Sequence, residues 1–199
     1  QRKRIGVEKL YFYDNEFLFK TGNPAPFGTP EQMVEAARKM YHELSPESGE
    51  FFDFMVTSEM LDLLAKPGKM TGGFCISFPK YKAPFIFANF NGTKQDVDVL
   101  THEAGHALQE YLSMREIENP NYWSPTYEAC EIHSMSMELI TRPWMKEFFD
   151  GETEKFLYQQ FEDILYFIPY GCLVDDFQHH VYRNPNETAD ERAAAWRSL

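Results

Sequence analysis

Only three cysteines occur in 199 residues, Cys75, Cys130 and Cys172, and they form no closely spaced pair. That scarcity excludes a disulfide framework and fits a reducing compartment, so a cytoplasmic location is expected. Long apolar runs are missing as well. None approaches bilayer-spanning length, and no secretory signal opens the chain. Positive charge is short, with 19 Lys and Arg against 31 Asp and Glu and a net charge of −12. A surface of that sign repels phosphate backbones and anionic headgroups, so neither nucleic acid nor membrane is an expected partner. What is present is a chain 43% hydrophobic, long enough for one substantial core. Aromatic residues are abundant, and Tyr11-Phe12-Tyr13, Phe51-Phe52 and Phe148-Phe149 are read as core clusters.

Periodicity predicts a mainly α fold with a small antiparallel β-sheet. Thr29-Pro30-Glu31-Gln32 starts a helix whose stripe runs Met33, Ala36, Ala37, Met40, Leu44. Ser45-Pro46 caps a second segment, and Ser58 a third that closes at Pro67-Gly68. Phe74–Phe78 and Phe85–Phe90 are apolar and bounded by Gly, Pro and Lys, the pattern of a hairpin. Thr93 with Asp96 reads as a capping box, followed by Val97, Leu100, Ala104, Leu108 and Tyr111 at helical spacing. Ser124-Pro125 restarts a helix as N-cap and first-turn proline. From Pro143 on the pattern is helical again, with Pro169 to Gly171 as a break.

Within the helix that Thr93 opens lies His102-Glu103-Ala104-Gly105-His106. Histidines four apart share one helix face, so both imidazoles can reach a single metal ion. Glu103 is offset by about a third of a turn, where a carboxylate reaches a water on the metal without ligating it. In the next helix Glu128, Glu131 and Glu138 share one face, and aligned carboxylates on a buried helix need cations opposite. Glu131 is taken as the third ligand, with Glu128 or Glu138 as the alternatives and a solvated acidic face as the ordinary reading. Three protein ligands with the fourth position free is the catalytic arrangement of zinc, one ion per chain. Glu128 and Glu138 are then the groups that accept the outer ring N–H of a ligand histidine. His133 falls on the far side of its helix, and the adjacent His179 and His180 are read as structural or surface residues.

These residues resemble the oligoendopeptidase F branch of the thimet-oligopeptidase-like zinc peptidases. The likeness rests on His-Glu-Ala-Gly-His, with Glu131 25 residues after the second histidine. It extends to Gly72-Gly73-Phe74-Cys75, Pro84 to Asn89, Asn91-Gly92 and Asp175 to Tyr182, and covers roughly residues 70–185. The resemblance implies a zincin-like catalytic domain, with His102, His106 and Glu131 holding Zn2+ and Glu103 as the catalytic carboxylate. A metzincin would carry a third histidine where Leu112 stands, and a thermolysin-like helix an Asp in place of Met135.

The expected function is zinc-dependent endopeptidase action on short oligopeptides, with Glu103 assisting attack of water on the scissile carbonyl. A peptidyl-dipeptidase or carboxypeptidase of similar fold shares the ligand set. A metal-stabilised helical module without catalysis is the reading from another class. An extended peptide is expected beside Gly72, Gly73 and Phe74, where two glycines let another backbone approach. If those glycines serve only the turn before the hairpin, that expectation fails. The single domain over 1–199 is expected to be truncated at both ends, with the remaining segments of a longer protein as partners. The resemblance places further substrate-contacting His and Tyr residues in a C-terminal segment, and none is assigned in this chain.

Overall fold

In this computed structural model, residues 1–14 and 16–199 are described, and the side chain of Phe12 lies outside that description. The helices are α1 (Arg2–Ile5), α2 (Pro30–Leu44), α3 (Pro46–Thr57), α4 (Lys94–Glu116), α5 (Tyr127–Ile140), α6 (Lys146–Phe149), α7 (Thr153–Arg183) and α8 (Ala189–Ser198). The strands are β1 (Leu61–Leu64), β2 (Phe74–Phe78) and β3 (Ala83–Phe90), in sheet order β1-β3-β2. The chain divides into two compact units, residues 1–156 and 157–199. Among the described residues no helix is long and apolar enough to cross a membrane.

In the first unit, local chemistry starts the helices as the sequence predicts. Thr29 and Gln32 close a reciprocal capping box on α2, and Ser45 accepts from the Ser48 N–H at the start of α3. The faces they bury form an aromatic core. Tyr41 stacks on Phe52 with ring centroids 4.8 Å apart, and Phe51 meets Tyr111 of α4 edge-on at 5.5 Å. Phe148 and Phe149 are buried as expected, but Tyr11 and Tyr13 are exposed and stack on each other. A stacked pair of tyrosines keeps its hydroxyls wet while covering ring faces, so the cluster needs no core.

The sheet supplies the floor under α4. β2 and β3 pair antiparallel as the predicted hairpin, from Phe74 opposite Phe87 to Phe78 opposite Ala83. The sequence missed β1, expected within a helical segment; it pairs parallel to β3, with Leu61 opposite Ile86. β3 is therefore the central strand, and its Pro84, Ile86, Ala88 and Phe90 are buried. β2 is left at the edge of the sheet.

α4 begins differently from the expected capping box. Thr93 makes no side-chain cap bond; the Asp96 carboxylate instead accepts the Asn91 and Gly92 N–H groups at 3.0 and 2.7 Å. Those donors lie further back, so Asp96 ties the strand-to-helix turn itself to the helix. Thr126, rather than Ser124, precedes α5. Gln109 of α4 donates to the Trp123 carbonyl at 2.8 Å, and the chain stays out of the helix for three residues beyond that anchor.

α7 continues through Pro169, where a break was expected. Proline removes one ladder bond and crowds the preceding turn, a cost of ~3 kcal/mol that the long helical sequence on both sides carries. Residues 157–199 fold on themselves: Phe177 meets Trp196 edge-on at 5.0 Å. His180 pairs with Glu187 at 2.9 Å, and Thr188 with Glu191 closes a capping box at the start of α8.

Candidate metal centre

α4 fixes the histidine pair by burying the other side of the same turn. Ala104 and Gly105 are buried beside Val97, Leu100 and Tyr111, which leaves His102 and His106 on the boundary with solvent. Four residues apart on one helix, the two rings stand with centroids 5.0 Å apart. Glu103 is buried and turns toward the edge strand, where the Cys75 backbone N–H binds it.

Gly105 explains how a second helix comes close enough to contribute. A Cβ at this position would lie 2.7 Å from the His133 carbonyl oxygen and 2.7 Å from Ser134 Cα, both on α5. Only a residue without a Cβ permits that approach. Sequence reasoning missed this role, although a glycine inside a helical pattern costs ~1 kcal/mol against alanine and so signals a packing reason.

The approach brings Glu131 Oε2 to 3.2 Å from His102 Nε2 and 3.4 Å from His106 Nε2. One donor atom from each of the three residues lies within 4.8 Å of the others. Zinc–ligand bonds of about 2.0–2.1 Å in a tetrahedron put neighbouring ligand atoms roughly 3.3 Å apart, so the two short separations fit that ion. Glu138 Oε1 sits 2.6 Å from His102 Nδ1, which leaves Nε2 free to face Glu131. Ser134 donates to Glu131 Oε2 at 2.7 Å and holds that carboxylate in place. Glu128 lies on the wall of the same cavity, but Glu138 and not Glu128 takes the His102 ring nitrogen. Glu128 is bound instead to its own helix start, through its backbone N–H and the Thr126 hydroxyl. His133 stands outside the cluster, with Nδ1 3.4 Å from the Cys130 carbonyl.

Electrostatics separate the carboxylates. Burial pushes the Glu103 pKa up, and the charge of Glu131 adds to that; His102 and the Cys75 N–H oppose it without cancelling it. Glu131 is held below the usual range: burial works against its charge, but the Ser134 hydroxyl and both histidines outweigh it. His102 is raised, because the Glu138 hydrogen bond and the surrounding carboxylates outweigh burial, whereas burial lowers His106. The two neighbouring carboxylates are thus shifted in opposite directions, Glu103 upward and Glu131 downward. The Cys75 thiol is pushed well up by burial and by Glu110 and Glu103, so it stays protonated.

The centre opens into a cavity of about 1010 Å³ walled by Gly73, Phe74 and Cys75 on one side and Ser124 to Tyr127 on another. Of the three residues expected beside a substrate, Gly73 and Phe74 line this cavity. Gly72 does not reach the wall: its φ of +97° makes it a turn residue, with its carbonyl taken by Asn89 at 2.9 Å. Gln109, Glu110, Cys130 and Tyr127 were missed, because a wall shared by a strand, a helix and a loop leaves no linear pattern.

Known proteins resemble this chain in sequence and fold. The sequence profile of Peptidase family M3 matches residues 31–199. An oligoendopeptidase F homolog of Mycoplasma genitalium is 29% identical over 187 residues, covering 82% of this chain and 30% of that protein. A Bacillus anthracis crystal structure described as a candidate oligoendopeptidase F is 55% identical, with a TM-score of 0.94 over 100% of this chain and 36% of its own. PZ peptidase A, solved with an inhibitor, is 58% identical, with a TM-score of 0.95 over 100% of this chain and 35% of its own. The chain spans about a third of the length of the proteins it matches. With the profile running through both helices of the centre, the chain belongs to peptidase family M3, on its oligoendopeptidase F branch.

Proposed function

We propose that this chain carries the catalytic centre of a zinc-dependent endopeptidase that cleaves short oligopeptides. The observation behind the proposal is the convergence of His102 Nε2, His106 Nε2 and Glu131 Oε2 beside a buried Glu103 whose pKa is raised. Those three side chains would hold the ion, and zinc when bound supplies Lewis acidity toward a carbonyl and a water molecule.

The rest is done by this chain's own residues. Glu103 takes a proton from the attacking water on its carboxylate and delivers it to the leaving nitrogen, a task suited to a carboxylate of raised pKa. Glu138 fixes the tautomer and tilt of His102, and Ser134 fixes Glu131, so neither side chain has to reorganise during the reaction. An extended peptide lying along the edge of β2 gains main-chain hydrogen bonds that ignore its side chains. Gly73 fits that contact, since an added Cβ meets only Phe87 O and the Val99 methyls at 3.5 Å, ordinary packing distance. Gly73 lines the cavity, so Gly73→Val adds bulk at the wall the peptide would follow, with its Cβ at ordinary contact distance from its neighbours. Turnover is therefore expected to fall strongly with little change in zinc content or melting temperature. Loss of stability together with activity, or unchanged turnover, would remove the strand-edge contact.

The test of the reaction is hydrolysis of internally quenched peptides of several lengths, with free and blocked ends, by the full-length protein. An endopeptidase cleaves blocked peptides at an internal bond. Cleavage only two residues from a free C-terminus marks a peptidyl-dipeptidase, release of single C-terminal residues a carboxypeptidase, and no cleavage at all a non-catalytic metal module.

A further inference from the structure

Glu110 is a carboxylate in the cavity that the chemistry proposed above does not use. It stands one helical turn beyond His106 and two beyond Glu103 on the same face of α4, and it lines the same cavity. Its described partner is the hydroxyl of Ser77, which donates from the edge strand β2. A hydroxyl satisfies one lone pair of a carboxylate and none of its charge. Among the described residues of the cavity wall none is Lys or Arg, and Glu103, Glu128 and Glu131 face the same space. A half-buried acid in an acidic cleft is stabilised by a cation, and burial has already raised its pKa.

We propose that Glu110 is a specificity-determining residue that receives a Lys or Arg side chain of the peptide, two to three residues from the scissile bond. The inference rests on the peptidase reading of the centre and names its substrate class. Two rulers give the distance. Along α4, Glu110 lies about 6 Å past His106 and about 10 Å past Glu103 at 1.5 Å per residue. Along β2, Cys75 stands at Glu103 and Ser77 at Glu110, a step of two residues or about 6.6 Å of extended chain. A peptide strand beside β2 that sets its reacting carbonyl near Glu103 therefore brings the side chain two residues along to Glu110, the third residue before the scissile bond or the second after it. Side chains two apart on a strand share one face, so both can point toward α4. Tyr127, 95% exposed on the cavity rim, leaves the approach open to a long cationic side chain.

The experiment uses full-length wild-type protein and internally quenched peptides that carry Lys, norleucine or Glu at each of three positions on either side of the cleaved bond. At one position Lys should exceed norleucine in kcat/KM by at least about tenfold, the size of one charged hydrogen bond. Glu110→Gln should bring that ratio close to one, and Glu110→Lys should turn the preference toward Glu. Each ratio is read on a single enzyme sample, so a partly folded fraction cancels. A preference for Lys that survives in Glu110→Gln, or no such preference at any position in wild type, overturns the assignment. Wild type that cleaves the norleucine peptides without preference overturns the role of Glu110 alone. Wild type that cleaves no peptide overturns the peptidase reading together with it.

Discussion

The two helices that meet at the centre are held in opposite ways. α4 is wedged into the first unit, with Val97, Leu100, Ala104 and Ala107 fully buried and Tyr111 and Met114 nearly so. α5 has only Ser134 and Met137 buried, and its Ile132 and Ile140 are more than half exposed. The histidines therefore ride on a helix that the core fixes, while Glu131 rides on one fixed by the Gly105 approach and by side-chain hydrogen bonds. Damage to the two should separate. Changes in α4 should be felt in folding first, and changes in α5 in metal affinity first.

The largest contrast is between Leu100→Ala and Glu131→Ala. Leu100→Ala removes a fully buried side chain and should cost about 2–5 kcal/mol of stability. Glu131 is half exposed, so its loss should leave the melting curve nearly in place while zinc, measured by elemental analysis, drops far below one per chain. Full zinc in Glu131→Ala would hand the ligand role to Glu138 or Glu128.

Next comes the contact that joins the helices. Gly105→Ala gains about 1 kcal/mol of helix propensity, but its Cβ meets backbone atoms that cannot move aside, an overpacking cost of about 1–3 kcal/mol. The second term should win. The melting temperature should fall and zinc affinity with it, since α5 must shift to make room. A Gly105→Ala protein that binds zinc as wild type does would show that the approach is not what positions Glu131.

A smaller effect is expected at Glu138. Glu138→Ala leaves all three candidate ligands but frees the His102 ring, which should weaken zinc binding about 10–100-fold in a competition titration with a chelator. Unchanged affinity would mean that α4 alone holds His102 in place.

How much of this was legible follows the range of the information. The histidine pair, Glu103 and the stripe behind them are local patterns, and they read correctly as one helix. The α2 and α8 capping boxes and the hairpin are local too. β1 was not legible: four residues carry little periodicity, and its partner Ile86 is 25 positions from Leu61. The start of α5 depends on a Gln109 side chain from another helix. The Glu138 contact to His102 could be guessed from helical spacing, whereas the choice of Glu138 over Glu128 required the angle at which α5 meets α4. Gly105 lay in plain view inside the motif, but its reason sits on α5.

The central claim is that three side chains hold zinc while Glu103, beside them, carries the proton. It is tested most directly by measuring zinc content and peptide turnover on one preparation of full-length Glu103→Gln. The amide keeps the shape and removes the base, so zinc should remain at about one per chain while kcat falls by at least ~10²-fold. Turnover close to wild type in a zinc-loaded Glu103→Gln protein would contradict the account.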